Sequence, residues 1–277
     1  MKRIADFLPL PKRQPGAAPD PPEEEVCPVC DGFGAVRHMV PLGHPDFGKR
    51  FPCEACLPKR MAEWRLERLK AANLPCGSQH ALTFETWEPR KEAAAAFEAA
   101  KLFAADKAPH PFLTLSGPCG TGKTHLAAAI AHLWIMEDRG MAWFYQAERL
   151  LDELRRGFNR EDGAGEETYR LLDLLAGCSM LGLDDLGAHK ASDFATVKLN
   201  EIVDERYSHA RDLDGKIVRR TVVTTNRPLA EHPERIASRL CEGVCIEIKA
   251  ADWRRRTGGG DDGAGEPAAA GSATKGG

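Results

Sequence analysis

A glycine-rich stretch from Gly117 to Thr124, reading GPCGTGKT, constrains the fold of this chain more than any other feature. It follows a short apolar run, Phe112 to Ser116, and precedes a run rich in Ala, Leu and Ile from His125 to Trp134. Short apolar runs are typical of buried strands and longer alanine-rich runs of helices, so the pattern predicts a strand, a loop and a helix in succession. The pattern GxxxxGK[ST] forms a phosphate-binding loop in this setting.

In such a loop, backbone N–H groups turn around an anion, and the helix N-terminus adds partial positive charge. We expect the Lys123 ammonium to reach the β- and γ-phosphates of ATP and the Thr124 hydroxyl to bind Mg²⁺. The alternative is a chance glycine-rich turn before a helix, which the filled motif positions disfavour. The expected nucleotide-binding residues, named here the phosphate loop, are Gly117, Pro118, Cys119, Gly120, Thr121, Gly122, Lys123 and Thr124.

Two acids follow the apolar run Met180 to Leu183, which predicts a strand whose end carries Asp184 and Asp185. Beside a phosphate loop, we expect Asp184 to hold the Mg²⁺ shell. We expect Asp185 to orient or deprotonate the attacking water. A strand followed by an Asx turn is the alternative interpretation.

Downstream, the run Thr221 to Thr225 predicts another buried strand, and its polar tip Asn226 is suited to sensing or positioning that water. A turn Asn before Arg227 and Pro228 is the alternative.

The segment Glu234 to Leu240 then carries Arg235 and Arg239 four residues apart, on one helix face. We interpret Arg239 as an arginine finger that reaches a neighbouring subunit's γ-phosphate, and Arg235 as a second contact; a solvated face with ion pairs is the alternative.

Four cysteines form two CxxC pairs, Cys27 with Cys30 and Cys53 with Cys56. Each pair places two thiolates on one turn, and four sulfurs complete a tetrahedral structural Zn²⁺ site. A unit of this size cannot fold on an apolar core alone, so the metal would stabilise it directly. Free thiols or a redox pair are the alternative. Buried thiols are expected for Cys76, Cys119, Cys178, Cys241 and Cys245.

Strands alternating with helices predict an α/β fold with a mainly parallel sheet covered on both faces. Residues 157–168 are polar and glycine-rich and predict a loop. We expect four parts: a flexible Pro-rich segment at 1–25, a zinc unit with its following helix at 26–73, an ATPase domain at 74–256 and a disordered Gly/Ala-rich tail at 257–277.

The phosphate loop, LGLDD, VVTTN and ERIASRL occur in this order, and the chain thereby resembles AAA+ ATPases of the helicase-loader group (DnaC/DnaI type). That group is close to the transposition ATPases of the IstB type. The resemblance covers roughly residues 74–256. It implies an ATPase using ATP and Mg²⁺, an ATP-dependent homo-oligomer, a replicative helicase as partner and single-stranded DNA as ligand. It also implies that residues 26–73 dock on the helicase through their Zn²⁺ unit.

Two departures from that family pattern have consequences. Asp185 stands where most AAA+ proteins have Glu, and its shorter reach predicts slow hydrolysis. The sequence after Ile248 is short and glycine-rich, which predicts a reduced or absent C-terminal lid. The basic cluster Arg254, Arg255 and Arg256 would then be a solvated end or, as the alternative, would replace the second sensor arginine that the lid normally supplies. An IstB-like transposition helper and an ATP-binding adaptor without significant hydrolysis are the alternative functions.

Basic and aromatic side chains also mix around the predicted loop, which suits single-stranded DNA or simply an exposed helix face. These are Arg149, Arg155, Arg156, Phe158 and Arg160. The net charge of −3 restricts any nucleic-acid surface to a local patch. No apolar run reaches membrane-spanning length and the N-terminus lacks a signal-peptide pattern, so we expect a cytoplasmic protein without a membrane partner.

Overall fold

The structure, a computed structural model, describes residues 26–75, 81–158, 165–188 and 192–252. The predictions for the two terminal segments, and those for Cys76, Arg160 and the Arg254–Arg256 cluster, lie outside these residues. The described part divides into two compact units, one ending at Ala62 and the other beginning at Glu63. The proposed domain limits stay predictions.

The smaller unit has almost no apolar core. Two short antiparallel strands, β1 (Ala35–Val36) and β2 (Phe51–Pro52), precede helix α1 (Leu57–Ala71). Among its described hydrophobic side chains, only Cys30 and Cys53 are buried. Several large ones are exposed, namely Val26, Val29, Phe33, Met39, Leu42, Phe47 and Leu57. Apolar burial therefore contributes little to the stability of this unit.

The larger unit is built on a five-stranded parallel sheet with the order β4-β5-β6-β3-β7. The strands are β3 (Phe112–Ser116), β4 (Ala142–Gln146), β5 (Met180–Leu186), β6 (Arg220–Thr225) and β7 (Val244–Glu247). Strand β3, which leads into the phosphate loop, lies next to β6, and β5 flanks β6 on its other side. The carboxyl ends of these three strands meet at one edge of the sheet.

Helices cover both faces of this sheet. They are α2 (Ala94–Ala104), α3 (Lys123–Met136), α4 (Ala147–Phe158), α5 (Gly165–Gly177), α6 (Asp193–Ser208) and α7 (Glu234–Cys241), with short 3-10 turns at Lys91–Ala93 and Leu229–Glu231. Helices α2 and α3 pack into one buried cluster, and α4 to α7 into another. Because side chains alternate along a strand, β6 sends Val222 into the first cluster and Val223 into the second.

The predicted fold class, a parallel sheet with helices on both faces, is confirmed. The loop predicted at 157–168 is only partly right, because α4 extends to Phe158 and α5 already begins at Gly165. Two acids in the first turn of α5, Glu166 and Glu167, favour an early helix start, since negative charge is stabilising at a helix N-terminus. Thr168 is also buried there.

No helix follows β7 within the described residues, which end at Asp252. The rest of the predicted lid region lies after Asp252, outside the residues that the structure describes. Within the described ranges, every helix is too short or too polar to span a lipid bilayer.

Candidate nucleotide and metal sites

The phosphate loop connects β3 to the first residue of α3. Gly120 and Gly122 adopt φ angles of 73° and 94°, a left-handed region that side chains rarely occupy. A Cβ on Gly122 would also lie 2.6 Å from the Trp87 ring, and one on Gly120 would lie 1.6 Å from Asp252 Oδ1. The glycines at these two positions are thus required by both backbone conformation and space.

Lys123 is 4 % exposed, and its ammonium lies within the loop. Its Nζ donates to the carbonyl oxygens of Gly117 and Pro118, at 2.8 and 2.7 Å. A buried charge requires such partners. The positive charge is therefore held within the loop, which fits the predicted contact with ATP phosphates.

Thr124, at the start of α3, reaches the end of β5. Its hydroxyl donates to both carboxylate oxygens of Asp184, at 2.9 and 3.1 Å. The hydroxyl of Thr224 on β6 also donates to the same carboxylate, at 2.6 Å from Asp184 Oδ1. Hard oxygen donors are the ligands that Mg²⁺ prefers, so Thr124 and Asp184 fit a magnesium site.

Asp184 is 6 % exposed, and this burial raises the pKa of its carboxyl above the ordinary value. The hydrogen bonds from Thr224 and Thr124 oppose the rise, as does the charge of Lys123, while the neighbouring Asp185 adds to it. Desolvation penalises the charged form, and a nearby cation relieves that penalty. Such a carboxylate is suited to binding a divalent cation.

Asp185 and Asn226 are adjacent although 41 residues separate them. Asn226 Nδ2 donates to Asp185 Oδ1 at 3.3 Å. Asp185 has a φ of 53°, so its side chain leaves the direction of the strand. The predicted water-activating acid and the predicted sensor thus lie together at the carboxyl edge of the sheet, beside Asp184.

Arg235 and Arg239 lie on α7 and both contact Asp204 of the same chain. The Asp204 carboxylate on α6 pairs with Arg235 Nε at 2.5 Å and with Arg239 Nε at 3.4 Å. The Arg239 guanidinium also lies over the Tyr207 ring, 4.1 Å from its centroid. Both arginines remain partly exposed, which leaves their guanidinium groups accessible to another molecule. The role of Arg239 as a finger stays a prediction.

The cysteine cluster has the geometry of a four-sulfur metal site. The Sγ atoms of Cys27, Cys30, Cys53 and Cys56 all lie within 4.8 Å of one another. Two of these separations are 3.8 Å, between Cys27 and Cys53, and 3.6 Å, between Cys30 and Cys56. Zinc–sulfur bonds of ~2.3 Å in a tetrahedron give a sulfur–sulfur edge of about 3.8 Å.

All four cysteines are free, and the separations of 3.8 and 3.6 Å are much longer than a disulfide bond. Backbone N–H groups of Val29 and Cys30 lower the pKa of the Cys27 thiol to about 7, so a thiolate forms there readily. Burial and the other thiols raise the pKa of Cys56 to about 12. The Gly34 N–H donates to Cys30 Sγ at 3.2 Å, as expected where amides stabilise metal-bound sulfur. The residues fit Zn²⁺.

The candidate DNA contacts fall around α4 and α5. Arg149 and Arg156 line a cleft of about 450 Å³, together with Glu153 and Glu167. Arg155 pairs instead with Asp152 and lies over Phe194. Phe158 packs edge-on against Tyr169 and Phe194, with ring centroids 5.4 and 6.2 Å apart. The aromatic ring is therefore engaged within the subunit, and the cleft has charges of both signs.

Thr224 and Trp87 also lie at the site, although neither is among the predicted site residues. Thr224 belongs to the VVTTN motif of the predicted strand Thr221 to Thr225. The signal that could have indicated its role is a threonine near the end of that strand, because the strand that carries the two acids ends at the same kind of position. Trp87 packs in the first buried cluster, and its ring also lies against Gly122 of the phosphate loop. The proximity of Trp87 to the loop depends on tertiary packing and had no local sequence signal.

Comparison with known proteins gives a family and a fold. The profile of the family described as "IstB-like ATP binding protein" matches residues 80–238, more than half of the chain. The replicative helicase loader DnaC of Buchnera aphidicola subsp. Baizongia pistaciae is 35 % identical over 96 residues, which cover 35 % of this chain and 38 % of that protein.

The putative insertion sequence ATP-binding protein y4pL of Sinorhizobium fredii is 30 % identical over 129 residues, covering 47 % of this chain and 46 % of that protein. The chain thus spans less than half the length of these relatives. Among solved structures, that of the DnaC helicase loader superposes with a TM-score of 0.51 at 22 % identity, over 61 % of this chain and 97 % of that one. At this identity the likeness concerns the fold alone.

Proposed function

Because this chain belongs to the IstB-like ATP-binding family and has the AAA+ P-loop fold, we propose that it is an ATP-dependent loader of a replicative DNA helicase. It acts in the cytoplasm and places the helicase on single-stranded DNA. The family supports ATP and Mg²⁺ as cofactors. The observation that carries the proposed chemistry is the meeting of Thr124, Asp184, Asp185 and Asn226 at one edge of the sheet.

Each of these residues has a distinct task in the proposal. The phosphate loop and Lys123 bind the phosphates, and Thr124 and Asp184 hold Mg²⁺, which neutralises phosphate charge when bound. Asp185 orients the attacking water or accepts its proton, and Asn226 positions it through the contact with Asp185. The shorter reach of Asp relative to Glu makes hydrolysis slow, as suits a switch.

We further propose that the chain forms an ATP-dependent homo-oligomer in which Arg239 reaches the nucleotide of the neighbouring subunit. Arg239 lies on the surface helix α7 and is about a third exposed, 32 %. An arginine supplied in trans stabilises negative charge on the transferred phosphate. ATP would then order the subunit interface, and hydrolysis would release it.

The Zn²⁺ unit is proposed as the helicase-docking part. Its large exposed apolar side chains suit a protein interface, since such residues are otherwise costly to leave in water. Single-stranded DNA would bind near Arg149 and Arg156, whose positive charges share a cleft with Glu153 and Glu167.

A second candidate function is a transposition helper of the IstB type. It is favoured by the family match and by the similarity to y4pL, which covers more of the chain than the DnaC match does. A third candidate is an ATP-binding adaptor without significant hydrolysis, which the Asp at position 185 favours.

Pull-down with the purified full chain separates these functions. Capture of a hexameric replicative helicase supports the loader, and capture of a transposase with no helicase supports the transposition helper. An ATPase assay with and without single-stranded DNA tests hydrolysis. No turnover, together with unchanged helicase loading by Asp185→Asn, would support the adaptor and contradict the loader mechanism.

The docking role of the Zn²⁺ unit has its own test. Cys53→Ser removes a buried sulfur from the cluster. Cys241→Ser is the matched control, because Cys241 lies outside the cluster and is exposed; the burial expected from the sequence was wrong for Cys241, as it was for Cys119 and Cys245. We expect Cys53→Ser to release Zn²⁺ and lose the helicase while still binding ATP, because the ATP-binding residues belong to the larger unit. Helicase capture that survives loss of Zn²⁺ would remove this role.

A further inference from the structure

The two acids at the end of β5 form a β-bulge. Leu183 pairs with Val223 of β6, and the next pair joins Leu186 to Thr225. Between these pairs, β5 contributes Asp184 and Asp185, while β6 contributes Thr224 alone. A bulge of this kind leaves one residue without its ladder partner and redirects a side chain, and bulges are over-represented next to active sites.

Thr224, the single residue opposite the bulge, contacts both acids. Its hydroxyl donates to Asp184 Oδ1 at 2.6 Å and accepts from the Asp185 N–H at 2.9 Å. The side chain is 0 % exposed, so water cannot substitute for either contact. The bulge displaces the Asp185 N–H from the strand ladder, and the Thr224 hydroxyl supplies the hydrogen-bond acceptor that this N–H would otherwise lack.

The following residue stabilises the other side of the bulge. Thr225 points to the opposite face of β6 and donates to the Leu186 carbonyl oxygen at 2.8 Å. Asn226, the first residue after β6, donates to Asp185 Oδ1. Three successive polar side chains of β6 and its tip therefore fix three successive residues of β5.

We propose that Thr224 is a positioning residue that sets the geometry of the magnesium-side and water-side acids together. This inference rests on the proposed ATPase function. The hydroxyl holds the Asp184 carboxylate by its side chain and Asp185 by its backbone, so one group determines the relative placement of both. A hydroxyl is required because the same oxygen must donate once and accept once, which valine, of equal shape, cannot do.

Three variants test the proposal. Thr224→Val removes both hydrogen bonds at constant volume, and Thr224→Ser keeps the hydroxyl. Thr114→Val is the matched control, because Thr114 is also 0 % exposed and lies on the adjacent strand β3. For each variant, the affinity for a fluorescent ATP analogue is measured in EDTA and in Mg²⁺, and kcat and KM are measured separately.

We expect Thr224→Val to bind the analogue in EDTA as the parent does, which shows that it is folded. The gain in affinity produced by Mg²⁺ should fall roughly tenfold, and kcat roughly ten- to a hundredfold, as for loss of a hydrogen bond to a charged group. Thr224→Ser should recover to within about threefold of the parent, and Thr114→Val should match the parent.

Equal Mg²⁺-dependent affinity and kcat in Thr224→Val and the parent would overturn the inference and leave the proposed function intact. Equal losses in Thr224→Ser and Thr224→Val would overturn it too, because the hydroxyl would then be irrelevant. A parent without Mg²⁺-dependent nucleotide binding would instead contradict the proposed function itself.

Discussion

Arg239 faces Asp204 of the same chain, with 3.4 Å between the guanidinium Nε and Oδ1. The other oxygen of the same carboxylate pairs with Arg235 Nε. Asp204 therefore orients two arginines of α7 from the neighbouring helix α6. A guanidinium that has to act on another subunit benefits from such orientation, because fewer of its rotamers are lost when it meets a phosphate.

If Arg239 acts in trans, subunits with different defects should complement each other. Lys123→Ala subunits lack nucleotide binding but keep the finger, and Arg239→Ala subunits have the reverse defect. Each alone should lose most ATPase activity measured with single-stranded DNA, by roughly a thousandfold or more for the finger, and a mixture should recover part of it.

The matched control is a mixture of Lys123→Ala with the double variant Lys123→Ala/Arg239→Ala, which has no intact nucleotide site and should stay inactive. Activity of Arg239→Ala equal to that of the parent would show that this arginine is not the finger. Asp204→Asn should lower activity less than Arg239→Ala does, since it loosens the arginine without removing it.

Arg206 on α6 is a fully buried charged side chain, and we expect the stability of the larger unit to depend on it. It is 1 % exposed, and its guanidinium donates to the carbonyl oxygens of Leu175, Cys178 and Arg220 at 2.7 to 3.0 Å. It thus satisfies the C-terminal carbonyls of α5 and the start of β6. Arg206→Met should lower the free energy of unfolding by about 3–5 kcal/mol, because buried acceptors lose their donor.

Urea unfolding of the parent, Arg206→Met and Arg170→Met measures this effect. Arg170 forms an exposed pair with Glu166 on α5, so its variant should change stability by less than about 1 kcal/mol. An Arg206→Met midpoint equal to that of the parent would show that the carbonyls find other donors.

His132 on α3 makes the stability depend on pH. Burial lowers the pKa of its imidazole below 6.5, and the charge of Glu85 opposes this. As pH falls below that ordinary value, the unfolded chain binds a proton that the folded protein does not, so the free energy of unfolding decreases.

His132→Gln should flatten this decrease between pH 7 and pH 5, measured as urea midpoints in EDTA. Glu85→Gln should extend the decrease to lower pH, because the charge that favours the imidazolium is gone. Parallel pH profiles for the parent and His132→Gln would exclude this histidine as the cause.

The sequence indicated those parts of the protein whose signals are local. The strand, loop and helix around Lys123, the strand ending in Asp184 and the strand ending in Asn226 were each visible as an apolar run with a polar end. The four metal-site cysteines were visible through two short spacings. Periodicity and glycine placement report backbone conformation over a few residues, and the helix start at Gly165 was missed where acidic residues in a polar stretch resembled a loop.

Tertiary structure alone decided which of these ends meet. Sheet order places β6 between β3 and β5, and this brings Thr224 to Asp184 across 40 residues of chain. The bulge at Asp185, the burial of Arg206 and the shared carboxylate of Asp204 likewise depend on contacts between distant segments. Local sequence patterns determine each element, whereas the geometry between elements is set by the packing of all of them together, which no single segment encodes.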